Sequence, residues 1–220
     1  MQISGKQINL VYDINKAECT YAFRDMDICL NPREFVGIIG LSGCGKSSLL
    51  YVLSGMRKPT SGAVYYNDVD IESYSFNEKA KIRKSKFGFI FQKHFLIEYL
   101  SVLENVMTGA DRDSDKTKDK AMSLLESLKI SHLSERQPGQ LSCGQKQRVA
   151  IARALINDPE VIFADEPTAS LDHNSAQEVI QVLEKLKNRS TIIIATHDQT
   201  ILQNADRTIQ LWDGHSISNN

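Results

Sequence analysis

No apolar run in the 220 residues approaches the length of about 18 that a membrane-spanning helix needs. A membrane role, if there is one, is therefore expected to come through a partner chain. The first residues, MQISGKQINLVYD, lack the charged-then-apolar order of an export signal. Charge of one sign is also missing. The formal net charge is −1, which leaves no bulk electrostatic case for nucleic acid or an anionic lipid surface. Cysteine is sparse. Cys19, Cys29, Cys44 and Cys143 form no C-x-x-C pair, and the simplest expectation is four reduced thiols in a cytosolic protein. Histidines 94, 132, 173 and 215 make no ligand-like cluster, so no metal site is expected from them. There is no internal repeat, low-complexity linker or heptad run. The length fits one compact domain.

What is present is alternation. INLVY and DICL have strand character and are separated by polar DINKAE. FVGIIG is a short apolar run ending at glycine, as a buried central strand does. GKSSLLYVLSG reads as a helix closed by Gly55. RKPTSG is a turn, AVYYNDVDI a strand or hairpin, and KFGFIFQ a further strand. From Lys93 to Asn157 the pattern turns helical, with Ala121, Leu124, Leu125 and Leu128 on one face. The mixed-sign stretch 111–120 reads as a solvated helix start. VIFAD and TIIIAT are again continuous apolar strands, the first followed by the helix SAQEVIQVLEKL. Strands alternating with helices predict an α/β fold, a mainly parallel sheet with helices on both faces. Residues 1–92 and 158–220 would form its core, and 93–157 a helical subdomain inserted between two strands.

Three stretches carry chemistry. GLSGCGKSS, from Gly40 through Leu41, Ser42, Gly43, Cys44, Gly45, Lys46 and Ser47 to Ser48, fits G-x-x-x-x-G-K-[ST]. Its glycines let backbone N–H groups face phosphate oxygens, Lys46 can reach the β and γ phosphates, and the Ser47 hydroxyl can ligate Mg²⁺. VIFADE supplies the acids. Asp165, at the carboxyl end of a buried parallel strand, is placed to hold the metal, and Glu166 to orient or deprotonate an attacking water. LSCGQ, 141–145, opens a helix with a capping box, Ser142-x-x-Gln145. A helix start with small residues binds anions, so this is a second anion site besides the phosphate loop. His197, at the end of TIIIATHD, serves either structure or a γ-phosphate contact. Gln92 closes FGFIFQ and carries little by itself.

Taken in order, these motifs resemble those of an ABC-type ATPase subunit, over essentially the whole chain. GLSGCGKSS resembles the Walker A loop, FQ at 91–92 the Q-loop and LSCGQ the family signature. VIFADEP resembles Walker B with its catalytic glutamate, ASLD at 169–172 the D-loop, and THD around His197 the H-loop. The resemblance implies a P-loop NTPase core with an antiparallel β subdomain near the N-terminus. It implies ATP and Mg²⁺, with Gln92 joining Ser47 and Asp165 at the metal, and Gln92 and His197 joining Glu166 in catalysis. Tyr12 would stack on adenine, with Tyr21 as the alternative. It further implies a head-to-tail dimer. In that dimer Ser142, Gly144, Gln145 and Asp172 of one chain would complete the site of the other, answering what the second anion-binding helix start is for. The remaining partner would be an integral membrane permease, with the ATPase peripheral on the inner face of the cell membrane.

Within the family, DINKAECTYAF, RKPTSG, FGFIFQKHFLIEYLSVLENV and QRVAIARAL resemble one branch, that of lipoprotein-releasing, macrolide-export, antimicrobial-peptide and cell-division ATPases. The function implied is ATP-driven extrusion of lipoprotein, peptide or drug. The alternative is a mechanical complex that regulates cell-wall hydrolases and transports nothing. HFLIEYLSVL, 94–103, grips a short helix of the membrane subunit, belongs to the core of the helical subdomain, or does both with different residues. Three departures from the family pattern stand out. Cys143 and Arg33 replace customary glycines, and the D-loop is Ala-Ser-Leu-Asp.

Overall fold

The computed structural model describes residues 1–12, 20–111, 114–212 and the backbone of 215–218. Cys19 and the whole polar stretch DINKAE lie outside the described residues. Strands β1 (Ile3–Tyr12) and β2 (Thr20–Leu30) pair antiparallel. With β4 (Ser61–Tyr66) and β5 (Val69–Asp70) they make a four-stranded sheet in the order β2-β1-β4-β5. The β4–β5 hairpin turns at Asn67 and Asp68, both at positive φ, the corner that Asn and Asp tolerate.

The second sheet has six strands in the order β10-β9-β3-β8-β7-β6. These are β3 (Phe35–Ile39), β6 (Phe87–Ile90), β7 (Val161–Asp165), β8 (Thr191–Thr196), β9 (Arg207–Trp212) and β10 (His215–Ser218). All its pairings are parallel except β9 with β10. β3, β7 and β8 are buried along their whole length because both faces are covered. Val36, Ile38, Val161, Phe163, Ile193 and Ala195 face α1 (Lys46–Leu53) and the antiparallel sheet. Phe35, Ile39, Ile162, Ala164, Ile192 and Ile194 face the helices α3 (Val102–Met107), α4 (Asp115–Ser127), α5 (Cys143–Leu155) and α6 (His173–Leu186).

The predicted face of α4 is the packed one: Ala121, Leu125 and Leu128 are buried and Leu124 packs against them. Gly55 follows α1 at φ 64 and donates its N–H to Val52, closing the helix as expected. One expectation is revised. Residues 93–101 are not helical. Asn105, fully buried, accepts from Ile97 N–H and donates to the carbonyls of Ile97, Leu100 and Ser101, so the segment is an ordered loop. HFLIEYLSVL is also divided. Val102 and Leu103 enter the core, while Phe95 is 63% and Tyr99 78% exposed. α2 (Phe76–Lys86) is a further helix, with no buried residue and a Ser75/Glu78 capping box.

Candidate nucleotide site

The phosphate loop joins β3 to α1, and its shape follows from two glycines. Gly43 has φ 82 and Gly45 φ 101, a region closed to most side chains. A Cβ on Gly45 would also collide with the carbonyl of Ala22 on β2, so the loop is seated against the antiparallel sheet. Lys46 is almost buried. Its Nζ donates to the carbonyls of Gly40 at 2.8 Å and Leu41 at 3.0 Å, and lies 3.7 Å from Oε1 of Glu166. The cation thus holds its own loop in a ring and faces the acid at the end of β7.

The two acids diverge. Asp165 is 7% exposed; its Oδ1 accepts from Ser47 Oγ at 2.8 Å and its Oδ2 from Tyr51 Oη at 3.4 Å. Burial raises its pKa above the ordinary aspartate value, and the charge of Glu166 adds to this; the hydroxyls of Ser47 and Tyr51 and the Lys46 ammonium oppose it. Glu166 stands at φ 48, a strained conformation for glutamate, fixed by its N–H donating to Ala195 O. Its carboxylate meets Nδ1 of His197 at 2.9 and 3.0 Å and accepts from Thr196 Oγ1 at 3.4 Å. His197 therefore bonds the acid from the end of the neighbouring strand and also lines the cleft.

These groups open on one cleft of about 690 Å³. Its walls are Tyr12, Thr20, Tyr21, Ala22, the loop residues Leu41–Gly43 and Gly45–Ser48, and Gln92, Glu166 and His197. Tyr12 Oη is 2.8 Å from Ser48 Oγ, and the Arg57 guanidinium lies 4.1 Å above the Tyr12 ring. Cys44 does not line this cleft: its side chain faces a separate pocket with Leu211 and Trp212. The oxygen donors of Ser47 and Asp165 are the hard ligands that Mg²⁺ takes, and a buried carboxylate held by neutral hydroxyls fits a cation there.

The signature residues lie elsewhere. Ser142 caps α5, its Oγ accepting from Gln145 N–H at 3.3 Å while its own N–H donates to Gln145 Oε1 at 2.9 Å, which is the predicted reciprocal box. Gly144 faces Leu171 and Ser175 of the same chain. Asp172 caps α6 by accepting from Ser175 N–H at 3.1 Å, and hydrogen bonding from the Ser175 side chain, then from its N–H, lowers the Asp172 pKa. None of Ser142, Gly144, Gln145 and Asp172 borders the cleft. Sequence reasoning missed Tyr51, Arg57 and Arg153. For Tyr51 a signal existed, since it stands four residues after Ser47 on one face of α1.

A parallel sheet with a glycine loop between its central strand and the next helix, a lysine in that loop and an acid at the end of β7, one strand removed across β8, defines a P-loop nucleotide-binding ATPase. Comparison with known proteins is specific. The family model described as ABC transporter matches residues 23–169. An uncharacterized ABC transporter ATP-binding protein of Methanocaldococcus jannaschii is 42% identical over 219 residues, covering 98% of this chain and 97% of that one. The lipoprotein-releasing system ATP-binding protein LolD 1 of Chlorobium chlorochromatii is 41% identical, over 86% of this chain and 80% of that one. A solved dimeric post-hydrolysis ATP-binding cassette bound to ADP and Pi superposes with a TM-score of 0.90 at 34% identity, over 97% and 96% of the two chains. The chain belongs to the ABC transporter family, as an ATP-hydrolysing cassette.

Proposed function

We propose that the chain works as one half of a head-to-tail ATPase dimer that drives a membrane permease from the cytoplasmic face. The observation that carries this is the separation of the two anion-binding elements. The cleft holds Lys46, Glu166 and His197 but is not bordered by Ser142 or Gly144. A second copy would bring its signature helix start to the phosphate end of the cleft, where unpaired N–H groups and the helix dipole favour negative charge. Asp172 at the D-loop joins that interface. The adenine lies on the free face of Tyr12, and Lys46 and the loop N–H groups take the phosphates. Ser47, Asp165 and Gln92 would hold Mg²⁺, which when bound would supply positive charge beside the phosphates. Glu166 takes the proton of the attacking water, and His197 keeps the carboxylate aimed. Residues 93–157, a loop to 101 and mainly helical beyond it, form the arm that carries the signature.

The branch proposed is lipoprotein, peptide or drug extrusion, supported by the likeness to the lipoprotein-releasing ATPase. The permease docks on the groove of about 530 Å³ beside Phe89, Phe91 and Phe95, with exposed Tyr99 on the same segment as Phe95. The trans site is tested with mixed dimers of Lys46→Ala and Ser142→Arg chains. In the head-to-tail arrangement both defects fall on one composite site and leave the other whole, so mixtures dimerise with ATP better than either variant alone. Mixtures no better than the homodimers would refute the arrangement. Glu166→Gln provides a second check: it keeps ATP affinity, loses turnover and accumulates a dimer on size exclusion.

A further inference from the structure

Tyr51 lies between two features that are otherwise separate. Its ring lines the aromatic groove, beside Phe89 and Phe91. Its hydroxyl points the other way and donates to Oδ2 of Asp165 at 3.4 Å, while Ser47, one turn earlier on α1, donates to Oδ1 at 2.8 Å. Two successive turns of one helix thus hold both oxygens of a single buried carboxylate. With only Oδ1 held, the carboxylate plane would still turn about Cβ–Cγ. The second donor fixes that plane, as outer partners of metal-binding carboxylates do.

We propose that Tyr51 is a positioning residue for the divalent cation, fixing the plane of Asp165 through its hydroxyl. The proposal rests on the reading that Asp165 serves the metal. Its neighbours narrow the role. Lys46 donates to loop carbonyls and Glu166 is engaged by His197, so Tyr51 is the side-chain donor to the second oxygen. The bond is long for O–H···O, so it orients the carboxylate more than it binds it.

The test is Mn²⁺ binding followed by electron paramagnetic resonance, at saturating adenylyl imidodiphosphate, a readout independent of turnover. Tyr51→Phe keeps the ring and deletes the hydroxyl. The Mn²⁺ dissociation constant is expected to rise about 3- to 10-fold, the scale of one hydrogen bond, with nucleotide affinity measured in EDTA unchanged. Tyr51→Leu should show the same rise, because the hydroxyl is lost in both. If Tyr51→Phe also lowers the melting temperature, Phe89→Leu serves as a destabilised control that retains parental Mn²⁺ affinity. Parental Mn²⁺ binding in Tyr51→Phe overturns the proposal, as does a loss matched by Phe89→Leu. Asp165→Asn separates the two levels. If it binds Mn²⁺ normally, the reading of Asp165 itself fails. If it loses Mn²⁺ while Tyr51→Phe does not, only the role of Tyr51 fails.

Discussion

The guanidinium of Arg153 donates to the carbonyl of Phe95 at 2.6 Å, and through its other terminal nitrogen to that of His94 at 2.7 Å. Arg153 stands near the end of the signature helix; His94 and Phe95 come two and three residues after Gln92. The same segment meets the start of that helix, where Cys143 Sγ lies 3.9 Å from His94 Nε2. The strand-end residue of the nucleotide cleft and the signature helix are therefore strapped together at two points. Phe95 is held at φ 47 in the process, an uncommon conformation for an aromatic residue. Arg153→Met should lower the unfolding free energy in urea by about 2 kcal/mol, the scale of hydrogen bonds from a charged donor. Arg153→Lys should recover only part of this, since a point charge cannot reproduce the fork. A loss below a few tenths would mean that the strap bears no load.

His94 gives the strap a pH dependence. Burial lowers its pKa from the ordinary histidine value, and the positive charges of Lys146 and Arg153 lower it further. The unfolded chain then binds more protons than the folded one between the lowered and the ordinary value. Stability rises with pH across that window and is lost as pH falls through it. Urea midpoints measured at pH 7.5 and 5.5 should fall by less in His94→Gln than in the parent. An equal fall in both would show that His94 does not contribute.

Arg33 departs from the family pattern at a cost that the structure locates. In the turn Asn31-Pro32-Arg33-Glu34 it is exposed at φ 62, with its N–H donating to Thr191 Oγ1 at 2.9 Å. The backbone keeps the conformation that glycine would adopt freely, and the arginine bears the strain. Arg33→Gly should be neutral to stabilising by up to about 1 kcal/mol, against the usual trend for substitutions to glycine. A loss of stability in thermal melts would mean that the turn is not strained.

Much of this was legible in the chain, for physical reasons. β3, β7 and β8 are continuous apolar runs because both faces of a parallel sheet are covered, and such runs have few alternatives. The phosphate loop and the Ser142 box are local, so their spacing shows directly. α2 gave no apolar rhythm, since it buries nothing, although Ser75 and Glu78 marked its start. β9 mixes exposed and buried positions, and no pattern showed that it joins β3. The placement of 93–101 depends on the buried amide of Asn105, and that of Tyr51 on a carboxylate 114 residues away. Contacts of this kind are tertiary and leave no mark on local periodicity.

Gly144 separates what the fold needs from what the proposed interface needs. A Cβ there would meet Leu171 Cδ2 and Ser175 Oγ at 3.7 Å, ordinary contact distances, so the chain itself has room for alanine. In the first turn of α5 alanine also favours helix over glycine, by about 0.5 kcal/mol at this frayed end of the range. Gly144→Ala should therefore be at least as stable as the parent in urea. In the proposed head-to-tail dimer, however, this residue's N–H would approach the γ-phosphate held by the partner, and a methyl group would stand at that contact. In a Glu166→Gln background, Gly144→Ala should need at least about 10-fold more ATP to dimerise, the loss of one charge-assisted hydrogen bond. Sedimentation at graded ATP concentrations measures this. Undiminished dimerisation would show that no phosphate comes close to Gly144, and the signature helix would then need another role. Reduced dimerisation together with reduced stability would instead place the fault within the chain, at Leu171 and Ser175.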